Sequence, residues 1–505
     1  MPKFVFLWTD LVIWLVVAGT LAYIGHARRN AQARATWRHV LHDAPAMCAA
    51  VVLSVMAVIA LLDSVHFRPR LAAAAGATAE AQVAYGTRTL SLLDVGLAFA
   101  IESREKTYSA PLAYASFQRE TRVVDGAELR EFPRLAFGGA HLKDPARQWR
   151  SDVVSRALKG GLVGMGIVLT LAGLVVWLRA RSRDDSSPFK GEGASALRQS
   201  LFDILRNRTE APWRAMLITA MLLAMTIGAI AALWPAYHVL GTDRTGNDVL
   251  YQALKSIRTA VVIGSLSTMA TLPLAIALGV LAGYFKGWVD DLIQYLYTVL
   301  SSIPPILLVA AFVLLINVYI DTNAERFETG VERAEFRLFL LCLILGVTGW
   351  ATLCRLLRAE TMKLTELDFV QAAHAFGVSH LRIMGRHVLP NVMHLVLIVA
   401  VLDFSALVLY EAVLSYVGVG VDPNSSSFGS MINLARSEMA REPAVWWNLA
   451  TAFSFMLAVV LAANLFADAV REAFDPRARV FRPRRFRLAP SRVAPSPASA
   501  GEGGG

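Results

Sequence analysis

Apolar stretches alternate with short charged ones along most of this chain. Runs long enough to cross a hydrocarbon core, which takes about 20 residues as a helix, occur near 4–24, 46–62, 161–178, 213–234, 258–284, 292–316, 338–357, 392–416 and 447–470. The pattern predicts an all-α polytopic membrane protein. Residues 1–62 hold the first two runs, 63–157 hold none, and 158–199 hold one more run and a polar linker. At 95 residues the 63–157 stretch is too long for a turn, and it reads as a small extracytoplasmic segment with a possible helix over 89–101 and turn-rich sequence over 130–150. After Asp475 the chain turns Arg-, Pro-, Ser- and Gly-rich, which cannot bury a core, so 481–505 is expected to be a disordered basic tail.

Charge orients the scheme. Only 17% of the 505 residues are charged and 55% are hydrophobic, and the net charge of +10 is spread between the apolar runs, a distribution that argues for a bilayer and against nucleic acid. Arg28, Arg29, Arg34 and Arg38 follow the first run and only Lys3 precedes it, so the N-terminus is expected outside and the next loop inside. Alternation then places the basic linker at 179–212 and the Arg-rich C-terminal region inside as well. A cleaved signal peptide would carry its positive cluster before the apolar run, so the first run is expected to be a retained anchor. The three cysteines, Cys48, Cys342 and Cys354, lie in or beside apolar stretches and form no metal spacing.

Between two inside ends lies the stretch Thr365-Glu366-Leu367-Asp368-Phe369-Val370-Gln371-Ala372-Ala373-His374-Ala375-Phe376-Gly377. It reads as a short helix. Thr365 and Asp368 have capping-box spacing, and Gly377 suits a left-handed terminus. Ser379 is placed to cap a second helix running to Leu389, with Pro390 breaking the pattern. Phe369, Ala372, Ala373 and Phe376 share one face, which offers a partner two aromatics around a flat patch. The plain alternative is an amphipathic helix lying on lipid.

Gln371-Ala372-Ala373, three residues, Gly377 and then Leu389-Pro390 resemble the EAA motif of ABC-importer permeases. Gln371 stands where that family usually has Glu, and His387 stands where many sugar and amino-acid permeases have Ile. Arg386-His387-Val388-Leu389-Pro390-Asn391 resembles the peptide and nickel branch, as do Leu240 to Leu250, Glu411 to Gly420 with Phe428 to Met431, and Asp468 to Pro476. Together these stretches resemble the second-permease, C-type members over a frame from about 200 to 480. The resemblance implies a six-helix core there with three extra N-terminal helices, and coupling helices at 365–390 that seat in an ATPase cleft. It also implies a bacterial inner-membrane location and four partners: a second homologous permease, two ABC ATPases and a periplasmic solute-binding protein. The solutes implied are peptides or related small molecules. ATP and Mg would belong to the ATPases, since this chain has no GxxxxGK[ST] loop, binds no cofactor on this reading and is expected not to be an enzyme.

Other residues invite weaker readings. Pro304 and Pro305 bend a pore-lining helix or are tolerated kinks, as Pro273 is. Gly279 and Gly283 read as helix packing. Asp403 and Glu411 are the ionisable residues placed within a span, where such groups face a bundle interior or water, so both are candidates for the translocation path, with a structural hydrogen bond as the other reading of Glu411. His374, His380, His387 and His394 lack a carboxylate or thiolate at metal spacing, and no metal is expected. The rival function is a secondary transporter driven by an ion gradient, which predicts an internal repeat with paired broken helices.

Overall fold

The computed structural model describes residues 2–70, 85–86, 88–124, 127–184, 212–422 and 425–474. Among them, nine helices are long and apolar enough to cross a membrane. The linker from residue 185 and the expected disordered tail at 481–505 lie outside the described residues.

The N-terminal unit is α1 (Trp8–Arg29), α2 (Ala31–His42) and α3 (Ala44–Asp63). Asp43 caps α3 by accepting from the Ala46 N–H at 3.1 Å, and Pro45 stands in the first turn, where its missing N–H costs nothing. Two short helices, α4 (Leu92–Gly96) and α5 (Ala98–Glu102), replace the single helix expected over 89–101. The spanning helix α6 (Pro145–Asp184) begins well before the apolar run at 161–178. Its first turns are polar and pack on the far end of the bundle, where Tyr237 donates to Asp152 at 2.9 Å.

The core continues with α7 (Trp213–Leu233), α8 (Val249–Phe285), α9 (Gly287–Ser302), α10 (Pro305–Thr322), α11 (Gly330–Gly349) and α12 (Ala351–Thr365). Two short helices, α13 (Asp368–Ala375) and α14 (His380–Ile383), precede α15 (Leu389–Val417), α16 (Phe428–Met439) and α17 (Trp447–Phe474). The 292–316 run is therefore not one bent helix: Pro304 and Pro305 supply no N–H, so α9 ends at Ser302 and Pro305 opens α10.

α8 is the spine, packed against α11, α12 and α15. A Cβ at Gly283 would stand 2.6 Å from the Arg358 carbonyl oxygen, so α8 and α12 meet backbone to backbone at Gly279 and Gly283. One apolar cluster joins Val262, Ile263 and Leu266 of α8 to Val309 of α10, Leu338 and Leu341 of α11 and Val12 and Ile13 of α1. A second joins Ala275 and Val280 of α8 to Tyr297 of α9, Leu353 and Leu357 of α12, and Met384, Val388 and Val392. α2 packs on the end of α17, with Val40 beside Val470 and Ala473, and Leu397 packs against the same cluster. The basic segment at 28–38 thus lies at the same end of the bundle as 365–388.

The opposite end carries the segment between α3 and α6, which is not wholly helical. β1 (Lys3–Val5), β2 (His66–Arg68) and β3 (Leu90–Ser91) form an antiparallel sheet in that order, and β4 (Glu120–Val124) pairs with β5 (Ala127–Glu131) as a hairpin. The segment docks on the loop between α7 and α8. Glu105 N–H donates to the Gly246 carbonyl at 3.1 Å, Thr242 N–H to Ser109 at 3.1 Å, and Leu112 N–H to His238 at 2.9 Å. A Cβ at Gly246 would stand 1.8 Å from the Glu105 carbonyl oxygen, so only glycine permits this approach.

Candidate coupling and translocation sites

α13 is positioned by one buried side chain. Val370 is 4% exposed, whereas Phe369, Gln371 and Ala372 are exposed, Ala373 is half-buried and Phe376 is 87% exposed. Phe369, Ala372 and Phe376 of the expected face are exposed, but so are Asp368, Gln371, His374 and Ala375 on the other sides of the helix. The expected capping box is absent: Thr365 still belongs to α12 and its hydroxyl donates back to Met362 O at 2.8 Å, so Leu367 precedes α13 without a side-chain cap. The C-terminus is as expected. Gly377 has φ +74°, its N–H donates to His374 O at 3.0 Å, and the Val378 N–H donates to Ala373 O at 3.1 Å, the paired bonds of a Schellman turn.

Ser379 stands at the N-terminus of α14 but makes no side-chain cap there. Nor does Pro390 end the second helix. A π turn at Met384–Val388 carries the chain from α14 into α15, and the Leu389 N–H reaches Met384 O. The wider turn relieves the clash between the Pro390 ring and the preceding helix, so the chain stays helical through Leu389 and Pro390. α14 and α15 are thereby one continuous helical path.

Residues that the motif does not contain tie this unit to α8. Tyr284 OH and His380 Nδ1 share a hydrogen bond of 2.9 Å, Phe285 stacks near the same imidazole at 5.7 Å, and Lys286 pairs with Glu366. Tyr284-Phe285-Lys286 stands at the end of the apolar run at 258–284, and nothing in that sequence names His380 or Glu366 as its partners. Phe369 lies 6.2 Å from His387, ring to ring.

The path candidates separate. Pro304 and Pro305 are exposed at the break between α9 and α10. Asp403 is half-buried at the midpoint of α15 and has no hydrogen bond or ion pair among the described residues. Glu411 is fully enclosed and accepts from Ser415 Oγ at 2.6 Å and Ser427 Oγ at 3.0 Å, which ties α15 to α16 and occupies its carboxylate. Asp243 and Asp248 hold a turn: Asp243 accepts from the N–H groups of Thr245 at 2.8 Å and Asn247 at 2.9 Å, and Asp248 caps α8 through the Tyr251 N–H at 3.0 Å.

At the docked end, His238 Nδ1 lies 2.9 Å from Asp248 and Nε2 lies 3.7 Å from Glu105. Burial opposes charge on His238, but these two carboxylates raise its pKa to about 9. Burial likewise opposes charge on Glu105, yet His238 and the N–H groups of Phe137, Gly138 and Ala136 bring it down to about 2. A cavity of about 1140 Å³ opens beside it, between α4, α5 and the outer turns of α8, α11 and α16.

The family model for the binding-protein-dependent transport system inner membrane component matches residues 275–480, from mid-α8 past α17, and so includes α13. The oligopeptide transport system permease protein OppC of Mycobacterium tuberculosis is 31% identical over 245 residues, 48% of this chain and 78% of that protein. The chain belongs to this family. It is a permease subunit and a multi-pass inner-membrane protein, and as its family is binding-protein-dependent it works with ATPase and substrate-binding partners. Two further permeases match: the OppC of Haemophilus influenzae is 28% identical over 311 residues, 62% of this chain and 92% of its own. The glutathione transport system permease protein GsiD of Pectobacterium atrosepticum is 29% identical over 242 residues, 48% of this chain and 73% of its own. The permease core of six spanning helices, α7 to α17, is thus preceded by three further spanning helices, α1, α3 and α6.

Proposed function

We propose that this permease forms half of a translocation path for peptides or related small solutes, completed by a second, homologous permease and driven by two ATPase subunits that grip the exposed face of α13. The observation that carries this reading is that face: Phe369, Ala372 and Phe376 are exposed on and just after a helix closed by Gly377, and α14, which follows it, runs on through the π turn into α15. Apolar side chains held this firmly and left uncovered are a docking surface. Closure of the ATPases on ATP pushes α13 and α14, and only unequal contact with two permease states shifts their populations. Pro304, Pro305 and Asp403 line the path; Glu411 holds α15 to α16. The N-terminus and the 64–144 segment lie outside, with α2, α13 and the C-terminal end of α17 inside, so that the docked segment meets the solute-binding protein while ATP and Mg stay with the ATPases.

Reconstitution tests this directly. Proteoliposomes holding this chain, its partner permease, both ATPases and the binding protein should take up labelled short peptides only with ATP. Uptake by this chain alone, driven by an ion gradient, would instead establish a secondary transporter.

A further inference from the structure

Three polar features share one depth within the spans. Between α9 and α10 the backbone leaves the helix, and residues 301–305 are all exposed. Pro304 and Pro305 donate no N–H, so neither can close the α-helical bonds to the carbonyls of Leu300 and Ser301, of which Leu300 accepts from the Ile303 N–H at 3.3 Å instead, and such irregular backbone at membrane depth is tolerated only inside protein or along water. Arg355 of α12 is exposed, donates from Nη2 to Ser301 Oγ at 2.7 Å and lies 4.9 Å from the Tyr297 ring centre, so it is aimed at that break. Asp403 stands 14 residues from each end of α15, about 21 Å along the helix, and its short side chain cannot reach either surface.

The apolar clusters fix the common level. Leu300 and Val399 pack against the cluster nearer α13, whereas Ile306 and Leu407 pack against the other. The break and Asp403 each fall between these markers. Arg355 and Asp403 form no ion pair among the described residues. A carboxylate without a partner among the described residues is not held against lipid at mid-depth, so Asp403 faces the bundle interior, water or a partner chain.

We propose that Arg355 and Asp403 are the charge-reading groups of a mid-membrane site for zwitterionic solutes, with Asp403 taking the ammonium and Arg355 the carboxylate. The proposal rests on the path reading above and adds to it the two residues that read the solute's terminal charges.

The test uses the complete reconstituted transporter with Cys48, Cys342 and Cys354 replaced by Ala. Ala406→Cys places a thiol one turn from Asp403, and Ser302→Cys places one beside Arg355's partner. Cationic and anionic water-soluble thiosulfonates of equal size are then compared. Both positions should label. Adding Asp403→Asn should lower the cation-to-anion rate ratio at position 406 by about tenfold, and Arg355→Gln should raise that ratio at position 302 by about as much. No labelling at 406 would overturn the path reading itself. Labelling with unchanged ratios would leave the path and overturn the charge-reading site.

Uptake gives the second arm, with the binding protein unchanged throughout. Asp403→Asn should reduce transport of a free tripeptide several-fold more than that of its N-acetyl form, and Arg355→Gln should do so relative to the C-terminal amide. Equal losses for all forms, or loss of the second permease from the purified Asp403→Asn complex, would overturn the proposal in favour of a structural charge.

Discussion

The guanidinium of Arg258 in α8 lies 2.6 Å from the carboxylate of Asp10 in α1. Arg258 also donates to Glu335 of α11 at 2.8 Å, and Asp10 in turn contacts His66 of β2 at 2.8 Å. One buried cation therefore ties the additional N-terminal unit to two helices of the permease core. Removing the cation leaves two carboxylates buried without it, and breaking such a buried pair costs about 3–5 kcal/mol. Arg258→Met should accordingly lower the thermal midpoint of the purified subunit far more than Asp10→Asn, which leaves the Arg258–Glu335 pair intact. Equal shifts would show that α1 and the core are not held through this residue.

The docking of residues 88–144 should depend on pH through His238 and Glu105. The pKa of His238 is raised from 6.5 to about 9, so its stabilisation is complete below 6.5 and is lost as pH climbs through about 9. That of Glu105 is lowered from 4.5 to about 2, so its contribution is complete above 4.5 and is lost only as pH falls through about 2. Hydrogen exchange should therefore show protection of 104–112 and 134–139 falling between pH 7 and pH 10 after correction for intrinsic rates, with α13 unaffected. His238→Gln should remove the pH dependence.

The reason this clamp could not be read from sequence is physical. Glu105 is held by N–H groups some thirty residues away and by a histidine beyond two spanning helices, contacts with no local pattern. Spanning helices were legible because bilayer thickness imposes a run length that composition alone reveals. The same measure misread 292–316, since hydropathy does not register that Pro304-Pro305 removes two donors in succession. Gly377 was legible because a left-handed terminus leaves few residue choices. The cap at Thr365 was not, because its hydroxyl had a helical carbonyl within reach, and Pro390 was not, because a π turn upstream absorbed its ring.

Topology is testable without transport. In intact cells, a cysteine at Pro2 should react with a membrane-impermeant thiol reagent and one at Ala33 should not. The reverse pattern would invert the placement of α1 and α2.

Gly377 separates coupling from assembly. No atom lies within 4 Å of a Cβ placed there, so Gly377→Val introduces backbone strain alone, about 1–2 kcal/mol in the left-handed region. The Schellman turn should open and shift α14 relative to α13. The complex should assemble and hydrolyse ATP while moving at least several-fold less solute per ATP; an unchanged ratio would mean that the turn transmits nothing.

If an ATPase docks on the exposed face of α13, the amount of ATPase that co-purifies with the permease depends on the side chain at position 372. Glu is a good helix former and Ala372 is exposed, so Ala372→Glu should leave folding and membrane insertion at parental levels. It sets a charged, longer side chain between Phe369 and Phe376, where a partner must approach closely. Ala372→Glu should retain a small fraction of the parental ATPase, while Ala372→Ser should retain nearly all of it. Parental amounts of ATPase on a normally inserted Ala372→Glu permease would contradict docking on this face.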